Sequence, residues 1–139
     1  MSEPFDSLFA AASQARAHAY APYSRFAVGA AAIDEEGRVF AGCNVENAAY
    51  PQGQCAEATT IGMMVAGGGS RIVEMLVIGG EPGDGLLCTP CGGCRQRIRE
   101  FAAPETPVHI CGPEGLRRTA SVDELLPYSF GPDNLGHRA

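Results

Sequence analysis

The chain is poor in basic residues, and this limits the partners that it can bind. Of its 139 residues, 10 are Lys or Arg and 16 are Asp or Glu, which gives a net charge of -6. Nucleic-acid binding depends on basic surface that displaces counterions from phosphates. We therefore expect no nucleic-acid partner, although the composition does not exclude a small neutral ligand.

Long apolar runs are also missing from the sequence. A membrane-spanning helix needs about 20 predominantly apolar residues, and no stretch approaches that length. Residues 1–6 lack the charged-then-apolar pattern of a signal peptide. We therefore expect a cytoplasmic protein with no membrane partner. Its six cysteines would then be reduced, so that a cysteine cluster indicates metal binding or catalysis.

No internal repeat, low-complexity tract or linker interrupts the sequence, and hydrophobic residues make up 45% of it. A chain of this length and composition suits one folded domain with a real core. We therefore predict a single domain over residues 1–139.

The hydrophobic pattern predicts helices that alternate with strands in the middle of the chain. The predicted helices span residues 4–19, 55–66 and 90–101, and the predicted strands span residues 26–33, 38–43, 72–79, 108–111 and 116–119. A helical turn is expected at 122–126 and an irregular tail from residue 127. This order predicts a three-layer α/β fold in which helices cover a mixed five-stranded sheet. Open sheets of this kind usually carry their sites at one end.

Three cysteines and one glutamate carry the strongest functional signal. Cys55 and Glu57 lie in one short segment and Cys91 and Cys94 in another, each at a predicted helix start, where thiolates are favoured. Three thiolates leave the fourth position of a tetrahedral zinc ion open, as catalytic sites do. Glu57 faces a different way from Cys55 on a helix, so it is placed to move protons rather than to bind metal. The same arrangement is the signature of zinc-dependent nucleobase deaminases.

Other interpretations of the cysteines stay open. A CxxC pair such as Cys91 and Cys94 also occurs in redox dithiols and in structural zinc sites. A structural four-cysteine site needs a second CxxC, which the sequence lacks. Cys88 is a rival ligand three residues before Cys91. Otherwise Cys43, Cys88 and Cys111 fit buried apolar positions.

Asn44 and Glu46 follow a predicted strand, either as part of a solvated loop or as hydrogen-bonding groups for a sugar diol. With them, the chain resembles the small, homotetrameric type of cytidine deaminase. The matching segments, in order, are residues 26–31, 42–50, 55–57, 90–96 and 125–132. One such segment could match by chance, whereas the ordered set covers nearly the whole chain.

The resemblance implies a three-layer α-β-α cytidine deaminase-like fold and a set of site residues. It implies that one zinc ion per chain is held by Cys55, Cys91 and Cys94, and that Glu57 shuttles protons. For the substrate it implies that Phe26 packs on the pyrimidine ring and that the Ala56 backbone contacts the base. Asn44 and Glu46 are implied to hold the ribose. Further contacts are implied from neighbouring subunits, namely from Ala48 and Tyr50 of one and from Phe130 of another.

The implied reaction is hydrolytic deamination of cytidine and 2′-deoxycytidine to uridine and 2′-deoxyuridine, with release of ammonia, in pyrimidine salvage. Zinc lowers the pKa of water, hydroxide adds at C4, and Glu57 acts first as base and then as acid. The active sites are expected at the subunit interfaces of a homotetramer. Two other classes are a redox or structural-metal protein and a deaminase of polynucleotide cytosines. The acidic composition and a pocket closed by Phe130 weigh against the latter.

One position departs from the family pattern. Three-cysteine members usually carry an Arg directly after the glutamate, where it hydrogen-bonds the thiolates, and this chain has Ala58. Blasticidin S deaminases also lack that Arg, so a blasticidin S deaminase-like enzyme acting on a cytosine nucleoside antibiotic is the alternative. They generally lack segments like 44–47 and 130–132. We hypothesise that Arg95, or another basic side chain from outside the Cys55 helix, approaches the thiolates instead.

Overall fold

A five-stranded sheet forms the centre of the molecule, which is a computed structural model that describes residues 2–137. The strand order is β2-β1-β3-β4-β5. The strands are β1 (Gly29–Asp34), β2 (Val39–Cys43), β3 (Ile72–Ile78), β4 (Pro107–Gly112) and β5 (Gly115–Ser121). β3 and β4 pair in parallel, and the other neighbouring pairs are antiparallel. The prediction of a mixed five-stranded sheet is therefore confirmed.

The central strands contribute side chains to two separate cores. Ala30, Ala32 and Val77 belong to one cluster of buried residues, whereas Ala31 and Leu76 belong to another. Successive side chains on a strand point to opposite faces of the sheet, so each central strand serves both cores. Both faces of the sheet must therefore be covered.

Helices cover the two faces. They are α1 (Glu3–Arg16), α2 (Ala56–Ala66), α3 (Gly92–Phe101) and α4 (Val122–Leu125). α1 buries Phe5 and Leu8 against one face, while Met64 of α2 and Ile98 of α3 are buried against the other. Burying one such side chain contributes about 2 kcal/mol. The predicted three-layer arrangement is confirmed.

The first helix is shorter than predicted. It ends at Arg16 rather than at residue 19. The Arg16 guanidinium donates to the carbonyl oxygens of Ala27 (2.9 Å) and Gly80 (2.8 Å). These contacts hold the end of α1 to the segment before β1 and to the segment after β3. The hydrophobic period of a helix gives no sign of such contacts.

The first strand is also shorter than predicted, because residues 26–28 do not pair with a neighbouring strand. The side chain of Asn44 provides two of their backbone hydrogen bonds instead. Its Oδ1 accepts from the Val28 N–H (2.9 Å), and its Nδ2 donates to the Phe26 carbonyl (2.8 Å). The strand therefore begins at Gly29, and residues 26–28 form a clamped loop.

Two further boundaries matter for the site. α2 and α3 begin one residue after Cys55 and Cys91, so that each cysteine is the N-cap of its helix. The segment that follows β2 and the tail from residue 127, which was predicted to be irregular, lie outside the named helices and strands. Each contains a short 3₁₀ turn, at Tyr50–Gln52 and at Pro132–Leu135.

α2 packs very closely on β2 because residue 42 has no side chain. A Cβ atom on Gly42 would lie 2.8 Å from Cγ2 of Thr59 and 2.8 Å from the backbone nitrogen of Thr60. The buried hydroxyl of Thr60 also reaches the carbonyl of Ala30 in β1 (3.2 Å). The first turn of α2 is therefore fixed against two strands, and with it the position of Cys55.

Candidate active site

A cleft of about 310 Å³ opens at the end of the sheet where β2 and β3 end and β1 begins. Its lining comes from the loop before β1, the segment after β2 and the two cysteine-bearing segments. The lining residues are Ser24, Phe26, Val28, Asn44, Glu46, Cys55, Ala56, Glu57, Cys88, Thr89 and Cys91. The structure thus brings seven of the predicted site residues to one cleft, at one end of the sheet as expected.

The three cysteines of the predicted zinc site converge beside this cleft. Their Sγ atoms all lie within 4.8 Å of one another, and those of Cys55 and Cys91 are 3.8 Å apart. Two thiolates on a tetrahedral zinc ion, each with a Zn–S bond of about 2.3 Å, are roughly 3.8 Å apart. Among residues 2–137, no other group of three or more His, Cys, Asp or Glu side chains is close enough to hold a metal ion, and Cys88 is not in the group.

Two helix starts position these sulfurs. Cys55 caps α2, Cys91 caps α3, and Cys94 is the third residue of α3. Cys94 is fully buried, whereas Cys55 and Cys91 are exposed. A metal ion held here would have protein on one side and the cleft on the other, which suits an open coordination position.

Burial in the protein opposes the ionisation of these three neighbouring thiols. Burial raises the pKa of Cys94, and burial together with the charge of Cys91 raises the pKa of Cys55. For Cys91 burial acts in the same direction, but hydrogen bonds from Cys94 and Cys55 together outweigh it, and the pKa is lowered. A divalent cation deprotonates coordinating thiols outright. A set of sulfur donors selects a soft ion such as zinc over magnesium or calcium.

Glu57 is the buried acid of the site. It is the second residue of α2 and only 4% exposed, yet it contributes to the lining of the cleft. Burial raises the pKa of its carboxyl group. The charge of its carboxylate also opposes the ionisation of all three thiols. A carboxyl group with a raised pKa, beside a metal site, is suited to taking up a proton and releasing it again.

Glu46 lies in the cleft as predicted, but its carboxylate already has partners within the chain. Oε1 accepts from the backbone N–H groups of Tyr23 (3.0 Å) and Ser24 (3.1 Å), and Oε2 accepts from the Ser24 hydroxyl. The Ser24 hydroxyl is the largest cause of a lowered pKa at Glu46. Like Asn44, Glu46 therefore fixes the loop that carries Phe26, a role that the sequence analysis missed.

One wall of the cleft comes from Cys88, which was predicted to be a buried apolar residue. It is half-buried and lies against Gly79, where a Cβ atom would be 2.4 Å from the Cys88 Sγ and 3.3 Å from Cζ of Phe26. Burial raises the pKa of the Cys88 thiol to about 11, so that it stays neutral. The glycine after the buried strand β3 was the sequence signal for this close approach.

Three predicted contact residues lie away from the cleft lining of the described chain, namely Ala48, Tyr50 and Phe130. Tyr50 is 75% exposed and meets Tyr23 edge-on, with ring centroids 6.0 Å apart. Phe130 is 58% exposed, and its carbonyl accepts from the Gln96 side chain (2.7 Å). Within one chain, therefore, these residues present apolar surface outward.

Arg95, which we hypothesised to approach the thiolates, makes its side-chain hydrogen bonds to backbone carbonyls instead. Its Nε donates to the carbonyl of Pro90 (2.7 Å), and its Nη1 donates to the carbonyl of Leu125 (2.8 Å). No hydrogen bond joins an Arg side chain to Cys55, Cys91 or Cys94 within residues 2–137. Arg95 instead ties the turn before α3 to the end of α4.

The chain is similar to cytidine deaminases in sequence and structure. Residues 3–110 match the family model described as the cytidine and deoxycytidylate deaminase zinc-binding region. The cytidine deaminase of Sporosarcina psychrophila is 37% identical over 134 residues, covering 96% of each chain. That of Mycobacterium tuberculosis is 44% identical over 124 residues, covering 89% of this chain and 87% of the relative.

A solved structure extends the similarity to three dimensions. The crystal structure of cytidine deaminase from Burkholderia pseudomallei matches with a TM-score of 0.82 and 40% identity, covering 94% of this chain and 100% of that one. The thiolate cluster lies in the region that the zinc-binding family model covers. From its sequence, its fold and its cysteine cluster, the chain belongs to the cytidine and deoxycytidylate deaminase family.

Proposed function

We propose that the protein is a zinc-dependent cytidine deaminase, a hydrolase that converts cytidine and 2′-deoxycytidine to uridine and 2′-deoxyuridine with release of ammonia, in pyrimidine salvage. The observation that carries this proposal is the convergence of three cysteine sulfurs and the buried Glu57 at one cleft. Cytidine deaminases that are 37% and 44% identical to the chain support the substrate class.

Cys55, Cys91 and Cys94 would hold the zinc ion, which when bound supplies a Lewis acid that makes water nucleophilic near neutral pH. The N-termini of α2 and α3 meet at these residues and carry partial positive charge. This partial positive charge would offset part of the negative charge of the three thiolates. Within residues 2–137, no Arg side chain donates a hydrogen bond to these sulfurs.

Glu57 moves the protons of the reaction. Its carboxylate takes a proton from the attacking water and delivers it to the ring nitrogen of the pyrimidine. After addition at C4, the carboxylate takes the remaining proton from the new C4 hydroxyl group and passes it to the amino group, which leaves as ammonia while the C4 carbonyl forms. One carboxyl group can act as base and then as acid because it regains its proton within each cycle. Burial supports this role by raising its pKa.

The other lining residues would bind the nucleoside. The Phe26 ring, 44% exposed at the cleft, packs against the pyrimidine, and the backbone of the buried Ala56 hydrogen-bonds the base. Asn44 and Glu46 hold the sugar hydroxyls while they also fix the Phe26 loop. Base and sugar recognition would thus share one set of supporting contacts.

We further propose that the active unit is a homotetramer with D2 symmetry and active sites at its subunit interfaces. Ala48 and Tyr50 would reach the site of one neighbour and Phe130 that of another. The exposure of Tyr50 and Phe130 in the single chain supports this arrangement. Sedimentation of an active enzyme as a monomer would reject it.

Residues 1–139 are proposed to form a single domain, which the shared sheet of five strands supports. We also propose a cytoplasmic location, supported by six free cysteines. No helix within residues 2–137 is long and apolar enough to cross a membrane. The net charge of -6 favours free nucleosides over polynucleotides as substrates.

An ultraviolet assay of the purified protein on four substrates tests the proposal. Cytidine and 2′-deoxycytidine should be converted, while cytosine, which has no sugar for Asn44 and Glu46, should react poorly. Conversion of blasticidin S alone would favour the alternative enzyme. A zinc-loaded, folded protein that converts none of the four would reject a deaminase of this substrate class.

A further inference from the structure

The turn before Phe26 contains a serine whose hydroxyl joins two functional parts of the cleft. Ser24 Oγ donates a hydrogen bond to Oε2 of Glu46 and accepts one from the backbone N–H of Phe26 (3.0 Å). All three residues line the cleft. A single hydroxyl group therefore connects the carboxylate proposed for the sugar with the ring proposed for the base.

The backbone at this point adopts a conformation that needs support. Arg25, between Ser24 and Phe26, has φ of 58°, in the left-handed region. This conformation is uncommon for a residue with a side chain and costs about 1 kcal/mol or more. A serine oxygen that accepts from the N–H two residues later is a recognised local turn. The Ser24 hydroxyl thus spans the strained residue and sets the direction in which the chain presents Phe26.

The same hydroxyl limits what Glu46 can still bind. A carboxylate offers about four acceptor positions, two on each oxygen. Two N–H groups occupy Oε1 and the Ser24 hydroxyl occupies one position of Oε2. One acceptor position, on Oε2, is left for a ligand hydroxyl. The orientation of that position is set by the hydrogen bond from Ser24.

We propose that Ser24 is a positioning residue for substrate binding, which couples the orientation of Glu46 to the position of Phe26. The inference rests on the proposed function. A group that holds the binding surface serves the bound substrate and the transition state alike. Its loss therefore raises KM and leaves kcat unchanged.

Steady-state kinetics of Ser24→Ala with cytidine give the first test. KM should rise about tenfold and kcat should stay within about twofold, because one hydrogen bond to a charged group is lost. Ser24→Thr keeps the hydroxyl and should return KM to within about threefold of wild type. A fall in kcat at unchanged KM would overturn the proposal, as would a Ser24→Thr variant no better than Ser24→Ala.

Ser70 offers a matched control. Its hydroxyl donates to Oε2 of Glu35 (3.0 Å) and its N–H to Oε1 (3.0 Å), the same residue types and contacts outside the cleft lining. Ser70→Ala should leave both KM and kcat unchanged. Zinc content should be equal in Ser24→Ala, Ser70→Ala and wild type. Equal KM values for the two alanine variants would contradict the proposal.

Hydrogen exchange separates this proposal from the proposed function. Wild-type protein without activity on cytidine would reject the function, and the coupling can still be measured in the ligand-free chain. The Phe26 amide should exchange about tenfold faster in Ser24→Ala than in wild type or Ser70→Ala. Glu46→Ala should speed this exchange only where Ser24 is present. Unchanged exchange at Phe26 in Ser24→Ala would overturn the coupling.

Discussion

The four helices begin in two different ways. At α1 and α4 the N-cap is a serine whose hydroxyl accepts from a backbone N–H of the first turn, at 3.2 Å for Ser2 and 3.1 Å for Ser121. At α2 and α3 the N-cap is a cysteine, and Cys55 makes no such hydrogen bond to α2. Serine is among the preferred N-cap residues, whereas cysteine is not.

The difference shows that α2 and α3 carry a less stabilising N-cap residue in order to place a sulfur atom at the site. The serine-capped helices use their N-cap side chains on themselves, and α4 adds the return bond from the Ser121 N–H to Glu124 (2.9 Å). The cysteine-capped helices direct theirs to a shared centre, where the sulfurs of Cys55 and Cys91 lie 3.8 Å apart. Local rules of helix formation are expected to fail at functional sites.

The largest effect is expected for the acid in the first turn of a cysteine-capped helix. Glu57→Gln keeps the size of the side chain but cannot transfer protons, so turnover of cytidine should fall at least ~10³-fold with zinc retained. Glu124→Gln is the matched change in a serine-capped helix and should leave turnover unchanged. A Glu57→Gln enzyme within roughly tenfold of wild type would show that another group moves the protons.

Exchanging one kind of cap for the other should separate metal binding from stability. Loss of outer-shell partners weakens metal binding about 10–100-fold, so loss of a ligand in Cys55→Ser should weaken zinc binding more than ~100-fold. After chelation the variant should be as stable as wild type or up to about 1 kcal/mol more stable, because serine is the better N-cap. Zinc titration and thermal unfolding in EDTA measure the two effects. Unchanged zinc affinity would contradict the site.

Removing a serine cap should affect stability only. Ser121→Ala removes the hydroxyl that accepts from the Glu124 N–H, at a cost of about 1 kcal/mol. The melting temperature should fall, at fixed protein concentration, while zinc content and turnover stay at wild-type values. Ser121→Thr, which keeps the hydroxyl, is the control. Loss of zinc in Ser121→Ala would mean that the two kinds of helix start are not independent.

The smallest effect concerns pH at the same serine cap. The backbone N–H of Ser121 is the largest cause of a lowered pKa at Glu124, whose ordinary value is 4.5. A depressed folded-state pKa stabilises the protein above pH 4.5, and that contribution is lost as pH falls through the folded value. The difference in melting temperature between wild type and Glu124→Gln should therefore be larger at pH 7 than at pH 3. An equal difference at both pH values would contradict this assignment.

The comparison of helix starts also explains what the sequence could predict. Cys55, Cys91, Cys94 and Glu57 are spaced within two short segments at helix starts, so local pattern was enough to propose one centre. The centre of the sheet was predictable for the same reason, because the buried strand β3 is a short apolar run. Both signals depend on residues close together in the chain.

The missed features depend on contacts between distant residues. The hydrogen bond from the Val28 N–H to the Asn44 side chain spans 16 residues, and that from the Ser24 hydroxyl to Glu46 spans 22. The contact from Arg95 to the Leu125 carbonyl spans 30. The Asn44 side chain bonds the backbone of residues 26–28 where a neighbouring strand would otherwise pair. Such a contact leaves no periodic pattern in the sequence, so these residues were predicted to be part of a strand.

Zinc occupancy measured together with activity tests the central claim most directly. Chelated wild-type protein, titrated with zinc, should gain cytidine deamination in proportion to bound metal and reach its maximum at one zinc per chain. Cys94→Ala, folded but without the buried thiolate, should gain neither. Full activity of the zinc-free wild-type protein, or a Cys94→Ala variant that keeps both zinc and activity, would contradict a catalytic centre built on two cysteine-capped helix starts.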